Sequence, residues 1–162
     1  MIEKVLMIGV YGTNEATFFH ALKTAGVDTF CDIRLHRGMR GAKFSYVNSA
    51  YLQKKLNEIS IKYLHVKELA PSKNIRALQK DDDIVKGAEK RTRPCLGQKF
   101  VEAYINTCLS SFDGDAFISS FSPASKVIAL FCVERSPEAC HRSLVGEFLK
   151  NKYGIYLEDI TP

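Results

Sequence analysis

The sequence has 162 residues, of which 46% are hydrophobic and 25% are charged. This composition is ordinary for a globular protein, and no apolar stretch approaches the length of a membrane span, which excludes a membrane-embedded protein and argues against a membrane partner. The length predicts a single domain over residues 1–162 with a substantial core. The net charge of +5 suits an acidic or phosphate-bearing partner but is too mild to demand nucleic acid.

The cysteines favour a reducing compartment. Their number is odd, their spacing forms no disulfide framework, and the N-terminus is typical of a strand rather than of a targeting segment. We therefore expect a cytoplasmic protein with five free thiols, at Cys31, Cys95, Cys108, Cys132 and Cys140.

The first predicted strand, Val5–Val10, leads through a turn into a helix. Asn14 can cap this helix and Gly26 can end it. The turn between strand and helix contains two glycines but lacks the dinucleotide-binding fingerprint. Gly9 and Tyr11 are therefore candidates for ligand binding in a weak phosphate cradle, and a plain tight turn is the equal alternative.

A second strand is predicted over Val27–Ile33. Asp32 and Arg34 occupy alternate positions at its end, so their side chains should face the same way. A basic, glycine-containing stretch follows, with His36, Arg37, Arg40 and Lys43. Its arginines offer bidentate donors for phosphate or carboxylate, and the alternative is a solvated surface loop.

The middle of the chain is more polar. The patterns predict a helix capped by Asn48 or Ser49, a strand over Ile61–Val66, a polar helical excursion over Ser72–Lys90, a long helix over Gln98–Phe112 and a short one over Phe117–Phe121. A second basic cluster consists of Lys86, Lys90, Arg91, Arg93 and Lys99. Because Asp81–Asp83 partly balance it, we interpret this region as a solvated flexible insertion.

The segment around Val127–Phe131 is the one on which the predicted site depends. This apolar run is typical of a buried strand, and Ser136 with Pro137 forms a helix-start signal. Cys132 and Glu134 should then leave the carboxyl end of the strand. A further strand is predicted at an edge of the sheet, over Tyr156–Ile160.

The alternation of strands and helices predicts the α/β class, as a three-layer α/β/α sandwich with a mostly parallel, Rossmann-like sheet. Ligands bind such sheets outside the carboxyl ends of the strands, and a helix start offers N–H groups to an anion. We expect one anion-binding pocket there. The candidate catalytic residues are Glu134, Cys140 and His141, and the candidate ligand-binding residues are Gly9, Tyr11, Asp32, Arg34, Cys132 and Arg142.

The chemistry of these residues leaves several roles open. A thiol near a helix start and beside arginines has a lowered pKa, which favours Cys140 as a reactive group. A Cys140–His141 couple is doubtful, because adjacent residues on a helix point in different directions. Asp32 or Glu134 could serve as a general base or merely hold an arginine in place. Cys132, Glu134, Cys140 and His141 could also bind a metal, but their spacing matches none of the strong zinc patterns, so no metal is predicted.

The pattern C-x-E-x5-C-H-R, from Cys132 to Arg142, resembles the signature of a bacterial and archaeal family, domain-of-unknown-function family 488. The opening IGVYG, the D-I-R at Asp32–Arg34, LHRGMRG and KELAP extend the resemblance over essentially the whole chain. It implies a compact cytosolic α/β domain with the motif residues gathered at one site, and it brings no established reaction. Val10-Tyr11 stands where the family commonly has serine or histidine.

Two functions from different classes compete. The first is a small enzyme acting on a nucleotide-like or other phosphorylated, anionic ligand, which explains why acidic, thiol, imidazole and guanidinium groups would meet. The alternative is a nucleic-acid-binding module without catalysis, in which Tyr46 and Tyr51 would stack on bases. A purely structural domain would leave the polar cluster unexplained. No particular cofactor, reaction or oligomeric state is indicated.

Overall fold

Five strands form a single sheet in which every neighbouring pair is parallel. The computed structural model describes residues 1–162. The strands are β1 (Lys4–Ile8), β2 (Thr29–Asp32), β3 (Lys62–His65), β4 (Val127–Phe131) and β5 (Tyr156–Ile160), in the order β3-β2-β4-β1-β5. The predicted parallel α/β fold is confirmed. Each predicted strand exists, and three of the five end one or two residues earlier than predicted.

Six α-helices connect or flank the strands. They are α1 (Glu15–Thr24), α2 (Ser49–Glu58), α3 (Lys73–Lys86), α4 (Gln98–Tyr104), α5 (Gly114–Ser119) and α6 (His141–Tyr153). None of them combines the length and the apolar character that a membrane span requires. The excursion predicted over Ser72–Lys90 is α3, capped by the Ser72 side chain and ended by Gly87 in the left-handed conformation.

Three helix predictions need correction. The short helix predicted over Phe117–Phe121 is α5, which runs earlier, over Gly114–Ser119, because the Asp113 side chain caps it. The predicted long helix over Gln98–Phe112 changes into a π-helical turn at Ile105–Leu109 after α4. The start signal at Ser136–Pro137 opens only a 3₁₀ turn, Pro137–Ala139, and α6 begins later at His141. A proline at the first position is compatible with either kind of helix, so the signal fixed the place of a turn but not its type.

Helices cover both faces of the sheet. On one face, the ring of Phe18 from α1 packs against Phe30 of β2 and Phe131 of β4. On the other, Gly146 of α6 lies so close to Met7 and Leu157 that a methyl group there would contact both side chains. One cluster of 35 buried residues forms the core. These contacts give the three-layer arrangement that the sequence predicts.

The connections place a switch point between β1 and β4. The chain leaves β1 and crosses β4 to reach β2, whereas it leaves β4 and crosses β1 to reach β5. Oppositely directed crossovers open a crevice at the carboxyl ends of two adjacent strands, which is where ligands bind in open α/β sheets. The residues after β1 and β4 therefore meet at the expected ligand-binding edge.

Gly9 allows the two strand exits to approach. A methyl group on Gly9 would overlap the backbone carbonyl oxygen of Glu134, which cannot swing away as a side chain would. Gly9→Ala should therefore lower the free energy of unfolding by about 1–3 kcal/mol or more, measured by urea denaturation. Gly38→Ala is the control, because only the Asn48 side chain lies within 4 Å of the added carbon. Equal stability of the two variants would contradict the close approach.

Candidate functional site

A cavity of about 590 Å³ lies at the carboxyl edge of the sheet. Its lining comes from the ends of β2 and β4, from α3, from residues 90–96 and from the start of α6. Among the predicted site residues, it brings together Tyr11, Arg34, Cys132, Glu134, Cys140 and His141. Gly9, Asp32 and Arg142 lie outside the lining.

Two thiols and one imidazole converge at this cavity. The Cys132 thiol follows β4 directly, and Cys140 and His141 stand at the start of α6. His141 Nδ1 lies 3.9 Å from each of the two sulfur atoms, and all three atoms lie within 4.8 Å of one another. All three side chains are buried. These residues could hold a metal ion, or the thiols could act as nucleophiles.

The sequence makes a Cys140–His141 contact doubtful, but the structure contains this contact. The two side chains would diverge if both residues were helical. Cys140 instead caps α6 with an extended backbone, at φ −139° and ψ 144°, and only His141 is helical. The change of backbone conformation between the two residues turns their side chains toward each other.

The imidazole of His141 is oriented by a backbone carbonyl. Its Nε2 lies 3.2 Å from the oxygen of Ile33, which can only accept a hydrogen bond. Nε2 therefore carries a proton, and Nδ1 is the nitrogen that faces the sulfur atoms. His141 thus has its second nitrogen fixed in the direction of both thiols.

The pKa values of the two thiols and the imidazole shift in different directions. The contact with Cys140, together with burial, raises the pKa of Cys132. Burial opposes ionisation of Cys140 as well, but hydrogen bonding from Cys132 and the charge of His141 outweigh it and lower the pKa of Cys140. Burial lowers the pKa of His141, and the neighbouring Cys140 more than reverses that effect. Cys140 is therefore the thiol with most thiolate character, as its place at a helix start predicts.

Glu134 adds a buried carboxylate to the same end of the cavity. Cys132 Sγ lies 3.4 Å from Glu134 Oε2, and the other oxygen, Oε1, contacts Arg93 Nη2 at 3.2 Å and Lys90 Nζ at 3.7 Å. Burial raises the pKa of Glu134 to about 7, with Cys140 adding to the effect and Lys90 opposing it. The Glu134 side chain is only 5% exposed, and its negative charge is balanced by the two neighbouring cations, Arg93 and Lys90.

Arg93 is a site residue that the sequence analysis missed. Its guanidinium contacts Glu134, binds Asp83 Oδ2 at 2.9 Å through Nη1 and donates through Nε to the carbonyl of Ala139 at 3.2 Å. The prediction of a solvated insertion is wrong for this residue, since its side chain is only 8% exposed. The available signal was the spacing of Gln79 and Asp83 on one face of α3, which pairs them and brings Asp83 to Arg93.

Asp32 and Arg34 face the same way, as predicted, and bind each other. Arg34 donates to both oxygens of Asp32, at 2.9 and 2.8 Å, and to the carbonyl of Val47 at 2.9 Å, while its guanidinium lies over the ring of Phe131. Tyr63 also donates to Asp32 at 2.8 Å. Arg34 therefore joins strand ends, and only its Nη1 has no hydrogen-bond partner.

Arg142 is fully buried and holds backbone. It donates through Nη1 to the carbonyl of Glu134 at 2.6 Å and through Nη2 to that of Arg135 at 2.9 Å, and Asp159 lies 3.8 Å away. Arg142 therefore supports the loop after β4. Because Nη1 and Nη2 both donate to backbone carbonyls, they are not free to clamp a ligand as predicted. Tyr11 lines the cavity with Arg91 stacked over its ring at 5.3 Å.

The Asp32–Arg34 pair should be worth more to folding than any exposed ion pair in the chain. Asp32→Ala would leave a guanidinium that is 4% exposed without its carboxylate, and breaking a buried pair in this way costs roughly 3–5 kcal/mol. The loss should appear as a lower urea midpoint. Glu158→Ala, which breaks the exposed pair with Lys4, is the control and should cost at most about 1 kcal/mol. A small, equal loss in both would show that Arg34 is not dependent on Asp32.

Comparison with known proteins shows the family to which the chain belongs. The family model described as "Domain of unknown function DUF488" matches residues 15–149, which is most of the chain and includes every motif residue after the first loop. Comparison with curated proteins and with solved structures found no match. On the strength of the family match, the chain belongs to the DUF488 family.

Proposed function

We propose that the cavity binds a phosphorylated, nucleotide-sized anion and that Glu134, Cys140 and His141 are the reactive groups that face it. The observation that carries this proposal is the charge of the lining, where seven lysine and arginine side chains stand against two carboxylates. A volume of about 590 Å³ is within the range of roughly 300–1,000 Å³ typical of small-molecule sites. The five free thiols favour a reducing cytoplasm as its location.

The two carboxylates of the lining do not cancel this charge. Asp83 and Glu134 are both already paired with Arg93, which uses one cation for two acids. The exposed cations without a carboxylate partner are Arg40, Arg76, Lys80 and Arg91, whereas Lys90 lies 3.7 Å from Glu134. Arg76 and Lys80 are four residues apart on α3, so both heads reach the same side of the cavity. Phosphate oxygens would give these side chains the charge-assisted partners that they lack.

The shape of the basic surface favours a small ligand over a nucleic acid. The cations surround a concave cavity instead of forming a stripe along the surface. The two tyrosines expected to stack on bases are otherwise engaged, since Tyr46 is buried and bonded to Thr13, and the Tyr51 hydroxyl binds Glu15. A single-strand site needs aromatic faces along its groove, and neither ring lines the cavity: Tyr46 is buried, and Tyr51, which is 42% exposed, lies on α2 outside the lining.

The proposal predicts saturable binding of phosphate-bearing small molecules. Pyrophosphate, AMP and ATP would be titrated by calorimetry into the reduced full-length protein. The double variant Arg76→Glu/Lys80→Glu should weaken the tightest of these by at least about tenfold, corresponding to about 1.4 kcal/mol, because both exposed cations become repulsive. The same variant should keep the parental melting temperature, since neither side chain is buried.

Lys54→Glu is the matched control, because it reverses an exposed lysine on α2 that does not line the cavity. Its affinity should equal that of the parent. The proposal fails if none of the three ligands saturates or if the control weakens binding as much as the double variant. Strong binding of oligonucleotides with a steep dependence on salt, and none of the small ligands, would favour the nucleic-acid alternative.

A further inference from the structure

We propose that Cys132, Cys140 and His141 form a zinc site at the inner end of the cavity, with the fourth coordination position open to it. Two thiolates and one imidazole are a donor set that zinc prefers, and three protein ligands with one open position are typical of a catalytic rather than a structural zinc site. With zinc bound, Cys140 and His141 would hold the metal instead of reacting themselves, and Glu134 would remain the acid or base beside the open position. The inference does not rest on anion binding, because the three donors can be tested with the metal alone.

The distances between the donors are close to those that tetrahedral zinc requires. Bond lengths of about 2.3 Å to sulfur and 2.0–2.1 Å to nitrogen imply sulfur–nitrogen separations of roughly 3.6 Å and a sulfur–sulfur separation of roughly 3.8 Å. His141 Nδ1 lies 3.9 Å from both sulfur atoms, and no pair of the three atoms is farther apart than 4.8 Å. Rotamer adjustments of a few tenths of an ångström up to about 1 Å would bring all three onto one ion.

The surroundings of His141 are those of a metal ligand. A ligating histidine commonly donates its second nitrogen to a carbonyl or carboxylate, which fixes the ring and its tautomer. Nε2 of His141 is placed in this way by the Ile33 carbonyl, at 3.2 Å. Nδ1 is then the nitrogen that faces the two sulfur atoms, at distances too long for strong hydrogen bonds, and it would lose its proton on binding a metal ion.

Glu134 lies beside the three donors without belonging to the set. Its carboxylate is not among the atoms that share the 4.8 Å limit, although one oxygen contacts Cys132. Its other oxygen is held by Arg93, which keeps the carboxylate toward the cations of the cavity. The open position would therefore face a ligand or a water molecule next to a fixed carboxylate.

The residue spacing in the sequence predicts no metal here, and the reason is topological. The donors come from two elements, the exit of β4 and the start of α6, and Cys140 and His141 are adjacent. Strong zinc patterns place two ligands two to four residues apart within one turn. The set becomes visible only because Cys140 has an extended backbone, which lets two neighbouring residues point at one position.

The test uses the reduced, metal-free full-length protein with Zn²⁺ and Co²⁺ as probes. Elemental analysis should find one zinc per chain after gel filtration. Co²⁺ should give a thiolate-to-cobalt charge-transfer band and the intense visible bands of tetrahedral coordination. Cys132→Ser and Cys140→Ser should each weaken Co²⁺ binding by at least about 100-fold, because loss of even an outer-sphere partner costs 10–100-fold.

Cys95→Ser is the matched control, since it removes an exposed thiol outside the donor set and should leave stoichiometry and spectrum unchanged. Circular dichroism would establish that each variant is folded. The proposal is overturned if the folded wild-type protein binds no zinc at micromolar concentration, or if the cobalt spectrum lacks the thiolate band. It is also overturned if protein prepared without air contains a Cys132–Cys140 disulfide, which would make the pair a redox couple.

Discussion

The guanidinium of Arg142 fixes the path of the chain after β4, and the whole site depends on that path. It is fully buried and donates to the carbonyls of Glu134 and Arg135. A buried cation is costly unless it is hydrogen-bonded, so the two bonds from Nη1 and Nη2 hold these carbonyls in place, and only Nε has no partner. Gly9 completes the arrangement, because its missing side chain lets the exit of β1 lie against the same carbonyl of Glu134. With its backbone held on one side, Glu134 presents its carboxylate to the cavity on the other.

The backbone conformation at the start of α6 brings the thiol of Cys140 and the imidazole of His141 together. In a helix, neighbouring side chains diverge by about 100° around the axis, so adjacent residues rarely share a target. The extended conformation of Cys140 removes that restriction at one position. The 3₁₀ turn at Pro137–Ala139 sets this up, because the Cys140 N–H donates to the carbonyl of Pro137 and the chain then opens before α6 begins. Local backbone geometry therefore creates the thiol–imidazole group.

Much of the fold could be predicted because it depends on local patterns. The apolar run Val127–Phe131 is a strand buried on both faces, and Asn14 caps α1 with the help of Thr17. The alternation of Asp32 and Arg34 gave their shared direction correctly, since side-chain period along a strand is a local property. Arg93 could not be predicted in the same way. Its partners lie on α3, after β4 and before α6, so only the tertiary fold brings them together.

The arginines of the site divide by burial into two groups with different physical roles. The buried group, Arg34, Arg93 and Arg142, binds carboxylates and carbonyls within the protein. These internal partners largely neutralise its charge or satisfy its donors. Arg40, Arg76 and Arg91 are exposed and have no carboxylate partner, so their charge is directed at the solvent and at any ligand. Low dielectric at the buried end strengthens every interaction there, whereas water screens the exposed end. A ligand that uses both ends would place its phosphate among the exposed cations. Its other end would then reach the proposed reactive groups, Glu134, Cys140 and His141.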